Sequence, residues 1–376
     1  MLLFWLRPLL FSGTYSVKFS VCVFYTVNFD SLGPYLYFSG AQMSRILEKC
    51  EWTTDSYAPS LSSILQAWFK MKLVDRKGIH QSSMQHEREI LNSPNGAILA
   101  IDWLDHPEDI AKKYHGLLVL VNHGCSQTLS SQMFDYIMKS SHTLDVGCCV
   151  VNLQGINGIQ AATSSLGTGL SMIVELKAVT ERIHQHLGSN FPKSFVAVSI
   201  GAIPVIEYLA QDKLNYSSAC FISTPLNLSK WCASDTCATT ECRDAAIGCV
   251  KDNSDLLTKW NIQAVTKASN SVSLSDYFTA MHVQNSSPNV SSLFNSLEPY
   301  SRLDQITKPL LMSYALDDES IAFAEDVDLL RLCRNPNIAV AVTEHGGHAE
   351  FCTINKQSWI GQSVLEFISV SLRPEF

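Results

Sequence analysis

Charge is scarce in this chain. Only 16% of its 376 residues are Asp, Glu, Lys or Arg, against 46% hydrophobic ones. A chain with so few charges argues against long disordered tails. Positive charge is the scarcer sign: 27 Lys and Arg face 35 Asp and Glu, for a net charge of −8. That balance does not attract phosphate backbones, which argues against nucleic acid as the main partner. Internal repeats with the period of a solenoid are missing, and no coiled coil is apparent. The twelve cysteines include no C-x2-C pair, so the common zinc patterns are absent. They are scattered rather than packed as in a disulfide-rich mini-protein. Cys232, Cys237, Cys242 and Cys249 form the one larger cluster. Free thiols in a variable loop are the expectation there, with one or two disulfides as the alternative.

Residues 1–38 are short of charge, with only Arg7, Lys18 and Asp30. A helical span needs about 20 apolar residues. Lys18 splits the stretch, and Asp30 would sit near the middle of a span from Phe19 to Phe38, at a cost of about 2.5–3.5 kcal/mol. A secretory signal would need a basic start and a small-residue cleavage site, both poor here. A membrane anchor or interfacial segment within residues 1–43 is the leading expectation. A signal-like peptide, or a start at Met43, are the alternatives. Four sequons, at Asn215, Asn227, Asn285 and Asn289, would matter only if the body faced a lumen.

From residue 88 onward the chain has a regular rhythm. REILNSPNGAILAIDWL (88–104) reads as a hairpin about Asn95-Gly96. Short apolar runs follow at 115–124, 146–155, 193–201, 218–224, 308–318 and 337–348, apolar on both faces as in buried parallel strands. Helical patterns alternate with them. Residues 170–188 place Ile173, Leu176, Val179, Ile183 and Leu187 on one face. Alternation predicts an α/β fold, a mostly parallel sheet with helices on both sides. Residues 226–305 break it, being rich in Ser, Asn, Thr and Cys, with Trp231, Trp260, Tyr277 and Phe278 among them. So long an insertion reads as a lid over the strand ends.

Three residues stand where chemistry is expected. Ser199, in Ala197-Val198-Ser199-Ile200-Gly201, falls between a buried strand and a helix, where a nucleophile elbow belongs. Asp317-Asp318 follow one strand, and His348 closes the next. The chain order Ser, Asp, His is that of α/β-hydrolases, and these positions lie on the carboxyl-end rim of a parallel sheet. Ser199 would attack an ester carbonyl, with His348 as the base and an aspartate fixing its tautomer. The backbone amides of Cys125, after His123-Gly124, and Ile200, after the nucleophile, would form the oxyanion hole. The mechanism needs no metal or organic cofactor, and no motif for one is present. His345 reads as a strand-end structural residue, and His123 as one that orders its own loop rather than reacts.

Taken together, these pieces resemble the YheT-like branch of the α/β-hydrolase-domain proteins (the AB hydrolase 4 type) over about residues 50–370. The likeness includes Arg88-Glu89 and Asp102-Trp103 around the hairpin, and the Asn152…Gly155…Gly158 segment. It includes Ser199-Ile200-Gly201 and the run from Asn335-Pro336-Asn337 through Glu344-His345-Gly346-Gly347-His348 to Phe351. The resemblance implies an α/β-hydrolase fold over 44–376 with a lid at about 226–305. It implies a carboxylic ester hydrolase acting on acylglycerols, phospholipids or other acyl esters. It favours Asp318 over Asp317 as the acid. It also implies an N-terminal anchor, and so a membrane location, single-pass or peripheral, with a cytoplasmic one as the alternative. Ala197 stands where the family has glycine, and Gln154 where it has arginine. A catalytically weak lipid-binding or interaction protein on the same fold is therefore the competing expectation.

Overall fold

The computed structural model describes residues 15–19, 22–26, 35–50, 86–122, 127–155, 158–160, 169–211, 216–234, 237–282, 294–295, 298–318, 320–344, 346–348, 351 and 358–373. One sheet organises them. Its strands in chain order are β1 (Tyr15–Phe19), β2 (Cys22–Thr26), β3 (Tyr35–Phe38), β4 (Glu87–Asn92), β5 (Ile98–Trp103), β6 (Gly116–Asn122), β7 (Val146–Asn152), β8 (Lys193–Val198), β9 (Ser218–Ile222), β10 (Leu310–Ala315) and β11 (Ile338–Thr343). Across the sheet the order is β1-β2-β3-β11-β10-β9-β8-β6-β7-β5-β4. The block from β7 to β11 is parallel, and antiparallel strands flank it on both sides. Chain order reverses direction at β6, whose neighbours are β7 and β8. Parallel sheets place their crevice outside the carboxyl ends at such a point.

The parallel strands are apolar on both faces because both are covered. Leu117, Val119 and Val121 of β6 point into one core, and Leu118 and Leu120 into the other. The first core takes α2 (Pro107–Lys113), α4 (Gly169–Leu187) and α5 (Ala202–Gln211). The second takes α1 (Ala41–Glu48), α3 (Gln127–Ser141) and the final helix (Trp359–Ser371). The predicted stripe of α4 is met by Leu176, Val179 and Ile183, all fully buried.

The hairpin forms where Asn95-Gly96 predicts it, with one difference. The Ser93 amide donates to the Ala97 carbonyl, which leaves a three-residue loop, and Gly96 takes the left-handed φ of 83°. Across the hairpin the family-like residues form two separate sets of bonds. Arg88 holds both oxygens of Asp102 at 2.6 and 2.8 Å, and Asn152 of β7 donates to Asp102 at 2.8 Å. Glu89 accepts from the Trp103 indole at 3.0 Å and pairs with Arg182 and His186 of α4.

The 226–305 insertion is helical where it is described: α6 (Leu228–Ala233), α7 (Cys237–Asp252), α8 (Ser254–Ser269), α9 (Leu274–His282) and α10 (Pro299–Leu303). Trp231, Tyr277 and Phe278 are buried in the core shared with the body, so these aromatics pack the insertion down. The cysteine expectation needs one correction: Cys242 is disulfide-bonded, while Cys232 and Cys249 are thiols. The Cys249 thiol donates to the Gly155 carbonyl at 3.3 Å, which ties α7 to the loop after β7.

The N-terminal segment also departs from the helical span considered for it. Its described parts are β1, β2 and β3, and β3 pairs antiparallel with β11 from Phe38↔Ala339 to Tyr35↔Val342. An open β11 edge offers unpaired backbone groups, and aromatic residues suit a strand that satisfies them. Among the described residues, no helix is long and apolar enough to cross a membrane.

Asn335 explains part of the Asn-Pro-Asn signature. Its amide nitrogen donates to the carbonyls of Leu303 and Ile306, each at 2.8 Å, and its oxygen accepts from the Asn337 amide at 2.9 Å. It thereby fixes the entry to β11 against the entry to β10. Asn335→Asp would take this shared donor from both carbonyls, leaving each its longer bond, Leu303 with the Ile306 amide at 3.2 Å and Ile306 with the Asn337 side chain at 3.3 Å, and would set a carboxylate oxygen against them. A loss of about 2–4 kcal/mol in urea-denaturation stability is expected, whereas a loss under about 0.5 kcal/mol would show that the clamp is idle.

Candidate active site

The site begins at the end of β8. Val198 is extended with φ −121°, and Ser199 then turns left-handed at φ 54°. A non-glycine residue there costs on the order of 1 kcal/mol or more, and such strain gathers at functional sites. A 3₁₀ turn over Ser199–Gly201 leads into α5. Ala197 is fully buried beneath the turn, so the elbow forms with alanine in the place of the family's glycine. Pro204 is the third residue of α5, within the first turn where helical N–H groups have no partner inside the helix.

The Ser199 hydroxyl lies 2.8 Å from Nε2 of His348. On the other side of the ring, Nδ1 lies 2.9 Å from Oδ2 and 3.2 Å from Oδ1 of Asp318. This pattern fits a tautomer in which Nδ1–H donates to the carboxylate and Nε2 accepts from the serine. Asp318 has a side chain only 1% exposed, against 13% for His348. Its Oδ1 also accepts from the amides of Ser320 at 2.8 Å and Ile321 at 3.1 Å. Burial pushes the Asp318 carboxyl up. The His348 charge and hydrogen bond, joined by the two amides, outweigh that and hold it below its ordinary value.

The loop carrying His348 depends on two glycines. A Cβ at Gly346 would come within 2.6 Å of the Phe351 ring and 2.9 Å of the Ala315 Cβ, and Gly347 has a left-handed φ of 58°. The Phe351 amide closes the turn onto the Gly346 carbonyl at 3.1 Å. Asp317 clasps the same loop: its Oδ1 accepts from the Gly347 amide at 2.9 Å. Adjacent carboxylates thus hold different things, Asp318 the imidazole and Asp317 the backbone one residue before it. That clasp was not foreseen from the sequence. The Asp318-to-Ser320 bond was foreseeable, because aspartate often accepts from the amide two residues on.

The structure therefore brings Ser199, His348 and Asp318 together in one hydrogen-bonded line. Ile200 is half-buried in the 3₁₀ turn after the serine. Cys125, His123-Gly124 and His345 lie outside the described residues. Gln154 donates to the buried Glu175 at 3.4 Å. Among the described residues, no cluster of acidic, histidine or cysteine side chains could hold a metal ion.

No family model matches the chain. Among curated proteins, human phospholipase ABHD3 is 22% identical over 360 residues, covering 89% of this chain and 83% of that protein. The mouse phospholipase ABHD3 is 23% identical over 346 residues, covering 85% and 79%. Among solved structures, the Pyrococcus furiosus esterase Pf2001 superposes with a TM-score of 0.50 at 15% identity, covering 78% of this chain and 94% of that one. The fold is that of the α/β-hydrolases.

Two outcomes follow from this geometry. Asp317→Ala removes the acceptor that holds Gly347 and is expected to lower kcat by about 10–100-fold through misplacement of His348. Asp317→Asn keeps an oxygen there and should remain close to wild type in the same steady-state assay. The second concerns pH. A carboxyl held low in the folded state stabilises it fully above the ordinary aspartate value of about 3.9 and loses that contribution as pH falls through the lower folded value. The difference in Tm between wild type and Asp318→Asn should therefore shrink as pH is taken below about 4. A difference that is flat or grows on acidification would contradict the assignment.

Proposed function

We propose that this protein is a serine hydrolase of carboxylic esters, with lipid acyl esters as its substrate class. The observation that carries the proposal is the Ser199–His348–Asp318 chain, with the serine on a strained turn at the sheet rim. Ser199 Oγ attacks the ester carbonyl while His348 Nε2 takes the hydroxyl proton. The tetrahedral oxyanion is stabilised by the amides of Ile200 and Cys125. Its collapse breaks the bond to the alcohol oxygen, which leaves with the proton from Nε2. Water then attacks the acyl-serine with the same histidine as base, releasing the acid and restoring Ser199. Asp318, held ionised, keeps the ring's tautomer and stabilises the imidazolium.

The lipid part of the proposal is supported by the relatives named as phospholipases and by the resemblance to the YheT-like branch, whose members act on acyl esters. The helical insertion at 226–305 is read as the lid that selects the acyl chain. Residues 1–38 are read as the part that meets the lipid surface.

Steady-state hydrolysis of p-nitrophenyl butyrate tests this reading. Ser199→Ala should abolish turnover. Asp318→Asn should lower kcat by about 10⁴ while the protein stays folded, since asparagine presents the wrong partner to Nδ1. Turnover retained in Ser199→Ala would remove the nucleophile assignment. A large loss in Asp317→Asn with near-normal Asp318→Asn would exchange the two aspartates.

A further inference from the structure

A second strained serine stands beside the first. β8 and β9 are parallel and in register, with Val198 level with Ile222, so Ser223 follows β9 as Ser199 follows β8. Neighbouring strands lie about 4.8 Å apart, which sets the two serines side by side on the rim. Ser223 is also left-handed, with φ 48°, and its amide donates to the Ser313 carbonyl at 2.8 Å. The Thr224 carbonyl in turn accepts from the Tyr314 hydroxyl at 3.1 Å. Ser223 and Thr224 are both fully buried, and among the described residues neither hydroxyl has a partner; nor does the indole nitrogen of Trp231, which is 4% exposed.

Each buried polar group left unpaired costs about 1–3 kcal/mol, and the left-handed serine adds strain. Costs of this kind gathered within residues 223–231, next to a nucleophile, point to a partner that the free protein lacks. The indole N–H can only donate, and the hydroxyls can donate as well. Their shared complement is an oxygen that carries lone pairs and no hydrogen.

We propose that Ser223 and Thr224 form a subsite for a second acceptor oxygen of the substrate, close to the scissile ester. That oxygen is a neighbouring ester carbonyl or a phosphate oxygen, as a glycerolipid presents and a simple alkyl ester does not. The proposal rests on the ester-hydrolase reading and names the substrate feature that reading leaves open. The hydroxyls are closed to solvent here, so the group reaches them as the insertion that starts at residue 226 shifts to admit substrate.

The test compares kcat/KM of wild type, Ser223→Ala and Thr224→Val on three oleoyl substrates in the same mixed micelles. Ethyl oleate has one ester, dioleoylglycerol adds a second ester, and dioleoylphosphatidylcholine adds a phosphate. In each variant the ratio of the phosphatidylcholine value to the ethyl oleate value should fall about tenfold. Tm should hold or rise, because an unpaired buried hydroxyl has been removed. A fall in the phosphatidylcholine ratio alone identifies the phosphate as the ligand, and a fall in both diacyl ratios identifies the carbonyl. Unchanged ratios, or an equal loss on all three substrates with a lower Tm, would overturn the subsite and make the hydroxyls structural. Hydrolysis of ethyl oleate by wild type reports separately on the underlying reading. If wild type fails on all three substrates, that reading falls and the subsite with it.

Discussion

The site turns on one imidazole that must meet two partners fixed on different strands. Ser199 follows β8 and Asp318 follows β10, with β9 between them. Two strand spacings put those ends roughly 10 Å apart, too far for a serine and a carboxylate to meet directly. His348 closes the gap, and it arrives from β11, one strand farther out. Its loop must fold back over the rim. The close approach of Gly346 to Phe351, the left-handed Gly347 and the Asp317 clasp are what make that return. The serine's strained turn is held in place by β8, which is paired on both sides and buried on both faces. The same rim places Ser223 level with Ser199.

Support for the rim extends across the sheet. Asn152 ends β7 and is level with Asn122 at the end of β6. Through Asp102 it is tied to Arg88 on the edge strand. The paired residues at the hairpin are therefore structural in this protein. They brace the sheet edge, while Ser199, Asp318 and His348 follow β8, β10 and β11.

Much of this was legible in the sequence because it is local or serial. Six buried strands announce themselves as short β-branched runs, and the Ser, Asp, His order follows from where those runs end. The choice of Asp318 rested on family likeness, since two adjacent aspartates look alike until the backbone fixes their directions. The less legible parts depend on contacts distant in sequence. Composition alone cannot tell a span from Phe19–Phe38 from strands that need β11, some 300 residues later, as an edge. The insertion hid its helices because Ser, Thr and Asn lower helix propensity, and its packing against the body supplies what propensity lacks. Ser223 became visible only through register, which no local pattern encodes.

The claim that Ser199 is an activated nucleophile can be tested without knowing the natural substrate. Treating the folded protein with a fluorophosphonate and mapping the adduct by peptide mass spectrometry should place the modification on Ser199. The adduct should be absent in Ser199→Ala and formed far more slowly in His348→Gln. A folded wild-type protein that does not react, or that reacts at another residue while Ser199 stays free, would contradict the account.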